Sequence, residues 1–256
     1  MTAYYNEFDP FAADWLENLI REGLIAPGEV DRRSIKEVEA VDLVGYTQAH
    51  FFAGIGGWSL ALRLAGWPDD RAVWTGSCPC QPFSAAGKRR GTDDPRHLWP
   101  EFARLIGKCS PPVVLGEQVA SKDGRPWLAG VRADLETLGY AVGAADLCAA
   151  GVGAPHIRQR LYWVGYSNVE GCKGKSQRLL GAAYKGNWSN FELLSCLDKK
   201  SRRIEPGTFP LAHGVPNRVG RLRAYGNAIV PALAAEFIGA FMDTETGHDN
   251  HQPSAT

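Results

Sequence analysis

At 256 residues the chain is long enough to bury a full core, and it suits one large α/β domain with a small appendage. Lys+Arg and Asp+Glu balance at 28 each, which excludes a protein that grips nucleic acid through bulk charge alone; such binding would need a local basic face. Six Cys without regular spacing fit reduced thiols in a cytosol-like compartment, and no apolar run approaches membrane-spanning length. The first residues carry Glu7, Asp9 and Asp14 and lack an apolar signal core, so a cytoplasmic protein is expected.

Residues 3–10 read as a short strand entering a turn. Pro10 then opens a helix, since Pro favours the first helical turn, and Phe11, Trp15, Leu16, Leu19 and Ile20 mark its buried face. Gly23 ends that helix, Pro27-Gly28 makes a turn, and Val30 to Ile35 can form a second strand carrying Asp31. Ala49 to Trp58 reads as a strand and a glycine turn, followed by a helix over Ser59–Leu64. Glycines there let a ligand approach the backbone, and the helix start offers free N–H groups.

Ala72-Val-Trp-Thr75 is a buried strand leading into Gly-Ser-Cys-Pro-Cys-Gln-Pro-Phe-Ser84. Pro79 and Pro82 stiffen this turn, and Cys80 between them is presented on a loop at a strand end. Ala85–Arg96 has no apolar period and reads as a long loop, a candidate lid whose Lys88, Arg89 and Arg90 can meet phosphates. Leu98–Ile106 is a predicted helix. Pro112–Gly116 is a buried strand that delivers Glu117-Gln118-Val119 to the same edge as Cys80, and a buried Glu117 needs a partner.

Trp127–Leu138 is a predicted helix and Ala141–Leu147 a strand. Gly153–Arg160 leads into a strand over Leu161–Val164, with Arg158 and Arg160 on one side of the extended chain. From Ser167 to about Pro210 the pattern decays into a small irregular region. Cys78 and Cys80 are too close for a zinc knuckle, and Cys172, Cys196 and His213 too scattered, so no metal site is expected. Tyr225–Pro231 precedes an amphipathic helix through Met242. The expected division is a catalytic and cofactor domain over 1–166, a target-recognition region over 167–218, a return segment over 219–243 and a disordered tail over 244–256.

Taken together, these stretches resemble the cytosine-C5 DNA methyltransferases. Pro79-Cys80-Gln81 is similar to the family's nucleophile motif, and Phe52-Ala53-Gly54-Ile55-Gly56-Gly57 to the motif that holds S-adenosylmethionine. Glu117-Gln-Val resembles the family's Glu-Asn-Val, Arg158-Gln-Arg160 its paired arginines, and Gly226-Asn227 with Pro231 its C-terminal cofactor motif. His50 stands where an acidic residue is usual, Gln118 for Asn, and His156 where Gln is common.

The resemblance implies a Rossmann-like α/β sheet, S-adenosyl-L-methionine as cofactor and double-stranded DNA as substrate, with base flipping. Cys80 would be the nucleophile, with Glu117, Arg158 and Arg160 assisting. The gap between Gly57 and Pro79 holds only one helix and one strand, whereas the family places two more strands there. Asn6–Pro10, the helix after it and Asp31–Ile35 resemble that missing piece, which implies a circularly permuted order. Glu7 would then take the ribose hydroxyls, Phe8 stack on adenine, and Asp31 (or Glu29) accept from its amino group. Pro79 and Asn227 complete the expected cofactor set.

Two alternatives stay open at the level of sequence: a transfer-RNA cytosine methyltransferase, and a catalytically silent DNA-binding relic. A specificity partner or cognate restriction enzyme is possible on the same resemblance, as is a bacterial or phage origin.

Overall fold

Ala3–Asn6, Gln48–Phe51 and Val73–Gly76 are buried at every position, the signature of strands covered on both faces. They form β1, β3 and β4 of a seven-stranded sheet in a computed structural model that describes residues 2–79, 98–121, 124–154, 157–167, 192–195, 201–204 and 228–247. The other strands are β2 (Gly28–Asp31), β5 (Val113–Val119), β6 (Tyr140–Cys148) and β7 (Gln159–Ser167), and the order is β2-β1-β3-β4-β5-β7-β6. β2 through β5 are parallel in space, while β7 inserts antiparallel to β5 and β6. If β3 is counted first, β1 second and β2 third, the spatial order becomes 3-2-1-4-5, that of a doubly wound sheet.

Helices cover both faces. Asp9 caps α1 (Pro10–Arg21) by accepting from the amides of Phe11 and Ala12, and Pro10 fills the first position. α1 packs with Tyr5, Ile25 and Ala53. On that face α2 (Gly57–Leu64) and α5 (Pro231–Gly247) enclose Val73, Val113, Leu115 and Tyr162. On the other face α3 (Trp99–Cys109) and α4 (Gly124–Thr137) meet Phe51, Trp74, Val114 and Trp163. Two glycines are dictated by that packing: a Cβ on Gly76 would lie 2.4 Å from the Phe102 ring, and one on Gly116 2.1 Å from Trp163.

Every strand and helix expected between Ala3 and Ser167 is present, with ends moved outward where packing continues the element. α3 runs past Ile106 to Cys109, and β7 past Val164 to Ser167. The second strand stops at Asp31 rather than Ile35, because Ser34 caps a short 3-10 turn over Ile35–Glu37. α5 continues past Met242 to Gly247, so part of the segment expected as a disordered tail is helical. In the region expected to be irregular, β8 (Glu192–Ser195) and β9 (Ser201–Ile204) form an antiparallel ladder. The lid loop Ala85–Arg96, His156 and most of the recognition region lie outside the described residues.

Candidate active site

Chain topology gathers those of the expected site residues that are described at one edge of the sheet. β1, β2, β3, β4 and β5 all end there, and the antiparallel β7 begins there, its Arg160 opposite Val119 and its Tyr162 opposite Glu117. Gly76 pairs with Gly116, so Ser77-Cys78-Pro79 leaves β4 at the level where Glu117 sits on β5. Cys80 comes next in the chain and lies outside the described residues. Cys78 is buried, and burial pushes its thiol pKa well above the ordinary thiol range, which makes it a packing residue rather than a nucleophile.

Glu117 is 7% exposed. Burial raises its carboxyl pKa above the ordinary value, against the opposing charges of Arg160 and Arg158. Arg160 Nε lies 2.6 Å from Glu117 Oε1, a close ion pair inside the edge. Arg158 donates to the Ala228 carbonyl at 2.8 Å, drawing the start of α5 to this edge. The partner that sequence requires for a buried Glu117 is thus Arg160, with Arg158 close enough to act through its charge.

The other half of the edge is polar around Glu7. Its Oε1 accepts from the Asp9 amide at 2.8 Å and its Oε2 from the Gly54 amide at 2.7 Å, which ties the end of β1 to the glycine turn after β3. Burial raises the Glu7 pKa, opposed by these backbone N–H groups. Gly54 needs its glycine, having φ +56° and open space where a side chain would stand. Phe52 adopts φ 52° although it carries a side chain, a strain of about 1–3 kcal/mol of the kind that gathers at ligand clamps. Ala53 is buried beneath the turn, and Gly56 (φ +79°) caps α2 without a side-chain acceptor, leaving the amides of its first turn uncovered by any cap. Gly57 allows α2 to approach Ile229, where a Cβ would lie 2.8 Å from that side chain. Phe8 is 72% exposed beside Glu7. Pro79 is half-buried at the exit of β4, and Asn227 lies outside the described residues.

Asp31 differs from expectation. It ends β2 at the right edge, but its oxygens accept from the Arg33 amide and guanidinium and from Tyr4 Oη at 2.5 Å. These bonds hold its pKa below the ordinary value despite burial. An adenine amino group could use Asp31 only by displacing Arg33. Its rival Glu29 is engaged by Tyr46 Oη at 2.6 Å. His50, the departure from the family's acidic residue, is a core group: Nδ1 is 2.9 Å from Thr75 Oγ1, Nε2 is 3.2 Å from Gln48 Oε1, and the ring stacks on Tyr5. Burial pushes its pKa down to about 3, so it is neutral. Gln118 turns its Oε1 back onto the Val119 amide.

A family model described as C-5 cytosine-specific DNA methylase matches residues 67–196. The chain belongs to this family. Among its relatives are the type II methyltransferase M.AplI of Arthrospira platensis, 30% identical over 46% of this chain and 45% of that protein, and M.HhaI of Haemophilus parahaemolyticus, 29% identical over 52% of each. The chain therefore spans about half the length of these relatives. Among solved structures, a DNMT2 mutant of Spodoptera frugiperda aligns with TM-score 0.44 and 17% identity, covering 68% of this chain and 45% of that one.

The residues at this edge fit the cofactor this C5-methylase family implies. Each Glu7 oxygen holds one backbone donor and keeps capacity for another, as a ribose diol requires. A Cβ on Gly54 would meet no atom within 4 Å, and the first turn of α2 has no side-chain cap. Sequence reasoning missed three features of this edge: the Glu7–Gly54 bond, the anchoring of Arg158 on Ala228, and a bond from Trp58 to Ser77. All three join residues remote in sequence, and only the aromatic placed directly after Gly57 was a visible signal. Among the described residues no cluster of His, Cys, Asp and Glu could hold a metal, and no helix is long and apolar enough to cross a membrane.

Proposed function

We propose that this protein is an S-adenosylmethionine-dependent DNA cytosine-C5 methyltransferase acting through Cys80 on a flipped cytosine. The observation that carries the reading is Glu117, a buried acid with a raised pKa, set beside two arginines on the strand adjoining the one that leads to Cys80. C5 of cytosine is a poor nucleophile. Addition of the Cys80 thiolate to C6 makes the ring an enamine, and C5 then carries the electron density. Negative charge developing on the ring is met at N3 by a proton from Glu117, which burial keeps available. Arg160 and Arg158 supply positive charge for O2 and favour the thiolate. The bound cofactor supplies the methyl group. Loss of the C5 proton to a base then lets the thiolate leave and restores the ring.

Glu7 would hold the ribose, Phe8 would cover the adenine, the Phe52–Gly57 turn and the start of α2 would cradle the amino-acid end, and Pro79 and Asn227 would close the pocket. Asp31 serves this site chiefly by anchoring Arg33. The strand order supports a permuted entry of the first two strands, since β1 and β2 stand where a family member would insert them after β3. The division into a catalytic domain over 1–166, a recognition region over 167–218 and a return segment from 219 belongs to the same proposal. The bacterial type II relatives favour a DNA substrate and make a cognate restriction enzyme or specificity partner the natural associate.

The deciding experiment measures transfer of labelled methyl groups to duplex DNA and to transfer RNA, with a 5-fluorocytosine duplex as a trap. Wild type should label DNA and form a covalent adduct; Cys80→Ala should do neither while retaining its fold and cofactor affinity. Turnover by purified Cys80→Ala would remove the nucleophile assignment. Labelling of transfer RNA alone would replace the substrate.

A further inference from the structure

Trp58 stands directly after the glycine turn, in the first turn of α2, and is 4% exposed. Its indole Nε1 donates to Ser77 Oγ at 2.9 Å. Ser77 is the first residue beyond β4. The Trp58 ring also meets Tyr162 edge-on, with centroids 6.0 Å apart, and Tyr162 is the β7 residue opposite Glu117. One side chain therefore touches the strand exit that leads to Cys80 and the strand that carries Arg160, from a helix whose start borders the cofactor turn.

Resting on the proposed function, we infer that Trp58, through its bond to Ser77, is a positioning residue that fixes the cofactor turn relative to the nucleophile segment. The chain between Ser77 and Cys80 is stiff by composition. Pro79 locks its own φ and confines Cys78 to extended backbone, and the Cys78 side chain is buried. Few soft dihedrals thus separate Ser77 from Cys80, so a bond holding Ser77 constrains the placement of Cys80. Transfer of a methyl group demands donor and acceptor aligned at about 3–3.5 Å, and a misplacement of about 1 Å caused far from the reacting atoms can cost about 10²-fold in rate. Among the described residues, no other side-chain hydrogen bond ties α2 to Ser77.

Ser77→Ala removes the acceptor, Trp58→Phe removes the donor while keeping an aromatic ring, and Ser77→Thr keeps the hydroxyl. Each variant and the Ser77→Ala/Trp58→Phe pair would be assayed for kcat and KM in methyl transfer to duplex DNA. S-adenosylhomocysteine affinity would be read by calorimetry, and Tm alongside. The expected result is a kcat loss of about 10- to 100-fold in each single variant, with cofactor affinity and Tm close to wild type. The double variant should be no slower than the worse single one, and Ser77→Thr should recover the rate. Unchanged kcat in Ser77→Ala, additive losses in the pair, or losses that track cofactor affinity or Tm would each overturn the inference. Should Trp58→Phe fail to fold, Ser77→Ala and its Thr rescue decide alone. A wild type that transfers no methyl group overturns the proposed function and this inference with it; an active wild type with indifferent variants overturns the inference only.

Discussion

Glu117 owes its character to competition between burial and charge. Burial dominates and raises its pKa, while Arg160 at 2.6 Å and Arg158 pull the other way. Glu117→Gln keeps the shape but cannot protonate N3, so single-turnover methyl transfer should slow by about 10²–10⁴-fold with cofactor affinity unchanged. A rate equal to wild type would make Glu117 structural. The raised pKa also has a thermodynamic consequence. Between the ordinary carboxylate pKa and the raised one, the folded state holds a proton that the unfolded state has lost, so stability falls as pH rises through that window. Tm measured against pH should decline upward from the ordinary carboxylate range in wild type, and decline less in Glu117→Gln. His50 has the opposite sign: a neutral buried imidazole, its pKa depressed to about 3, costs stability as pH falls below the ordinary histidine range. A His50→Gln variant should therefore lose less stability on acidification than wild type. Residue types at this scale were legible. Pro-Cys-Gln, the Glu after four apolar residues and the paired arginines are local patterns. Their partners were not, because Arg160 reaches Glu117 only through the antiparallel register of β7 against β5.

At the scale of elements, the β1–α1–β2 unit is an integral side of the sheet, and Glu7 is the link from it to the glycine turn after β3. β1 pairs with both β2 and β3, so its removal would strip β3 of a neighbour and expose the face under α1. Deletion of residues 1–35 should abolish both S-adenosylmethionine binding and cooperative unfolding. Glu7→Ala is the finer probe. It removes a charge-assisted hydrogen bond worth about 1.5–3 kcal/mol, which predicts a loss of cofactor affinity on the order of 10- to 100-fold. Part of that loss would come from freeing Gly54, whose amide Glu7 holds at 2.7 Å. Calorimetry on Glu7→Gln, which keeps an acceptor without the charge, separates the two contributions. The elements themselves were readable from periodicity, caps and breakers, as with Asp9-Pro10 at the start of α1. Asp31 shows why site chemistry was less so. A carboxylate at the end of a strand looks free in sequence, but the turn at Arg33 folds both an amide and a guanidinium back onto it.

At the scale of the whole molecule, the question is how much surface remains to read a target. Most of the described arginines around the sheet are taken: Arg32, Arg33, Arg63, Arg71, Arg104, Arg125 and Arg132 all sit in ion pairs with carboxylates. With Lys+Arg and Asp+Glu equal over the chain, the proposed function leaves phosphate contacts chiefly to other segments. In the proposed division residues 167–218 form the recognition region, and the β8–β9 ladder gives it a small framework. Its cations are Lys173, Lys175, Arg178, Lys185, Lys199, Lys200, Arg202, Arg203 and Arg218. Phosphate contacts position a protein without carrying sequence information, and specific readout needs well-held bidentate contacts of about 1–3 kcal/mol each. A framework this small can orient few of them. The expected target is therefore roughly two to four base pairs, a count set by the number of such contacts, or a looser preference sharpened by a partner. Affinity should fall steeply with salt, since counterion release supplies most of the binding. Bisulfite sequencing of DNA modified by the purified enzyme, over a series of salt concentrations, measures both. A strictly read site of about six base pairs or more without a partner would require more base contacts than this region can hold, and would place target readout elsewhere on the molecule.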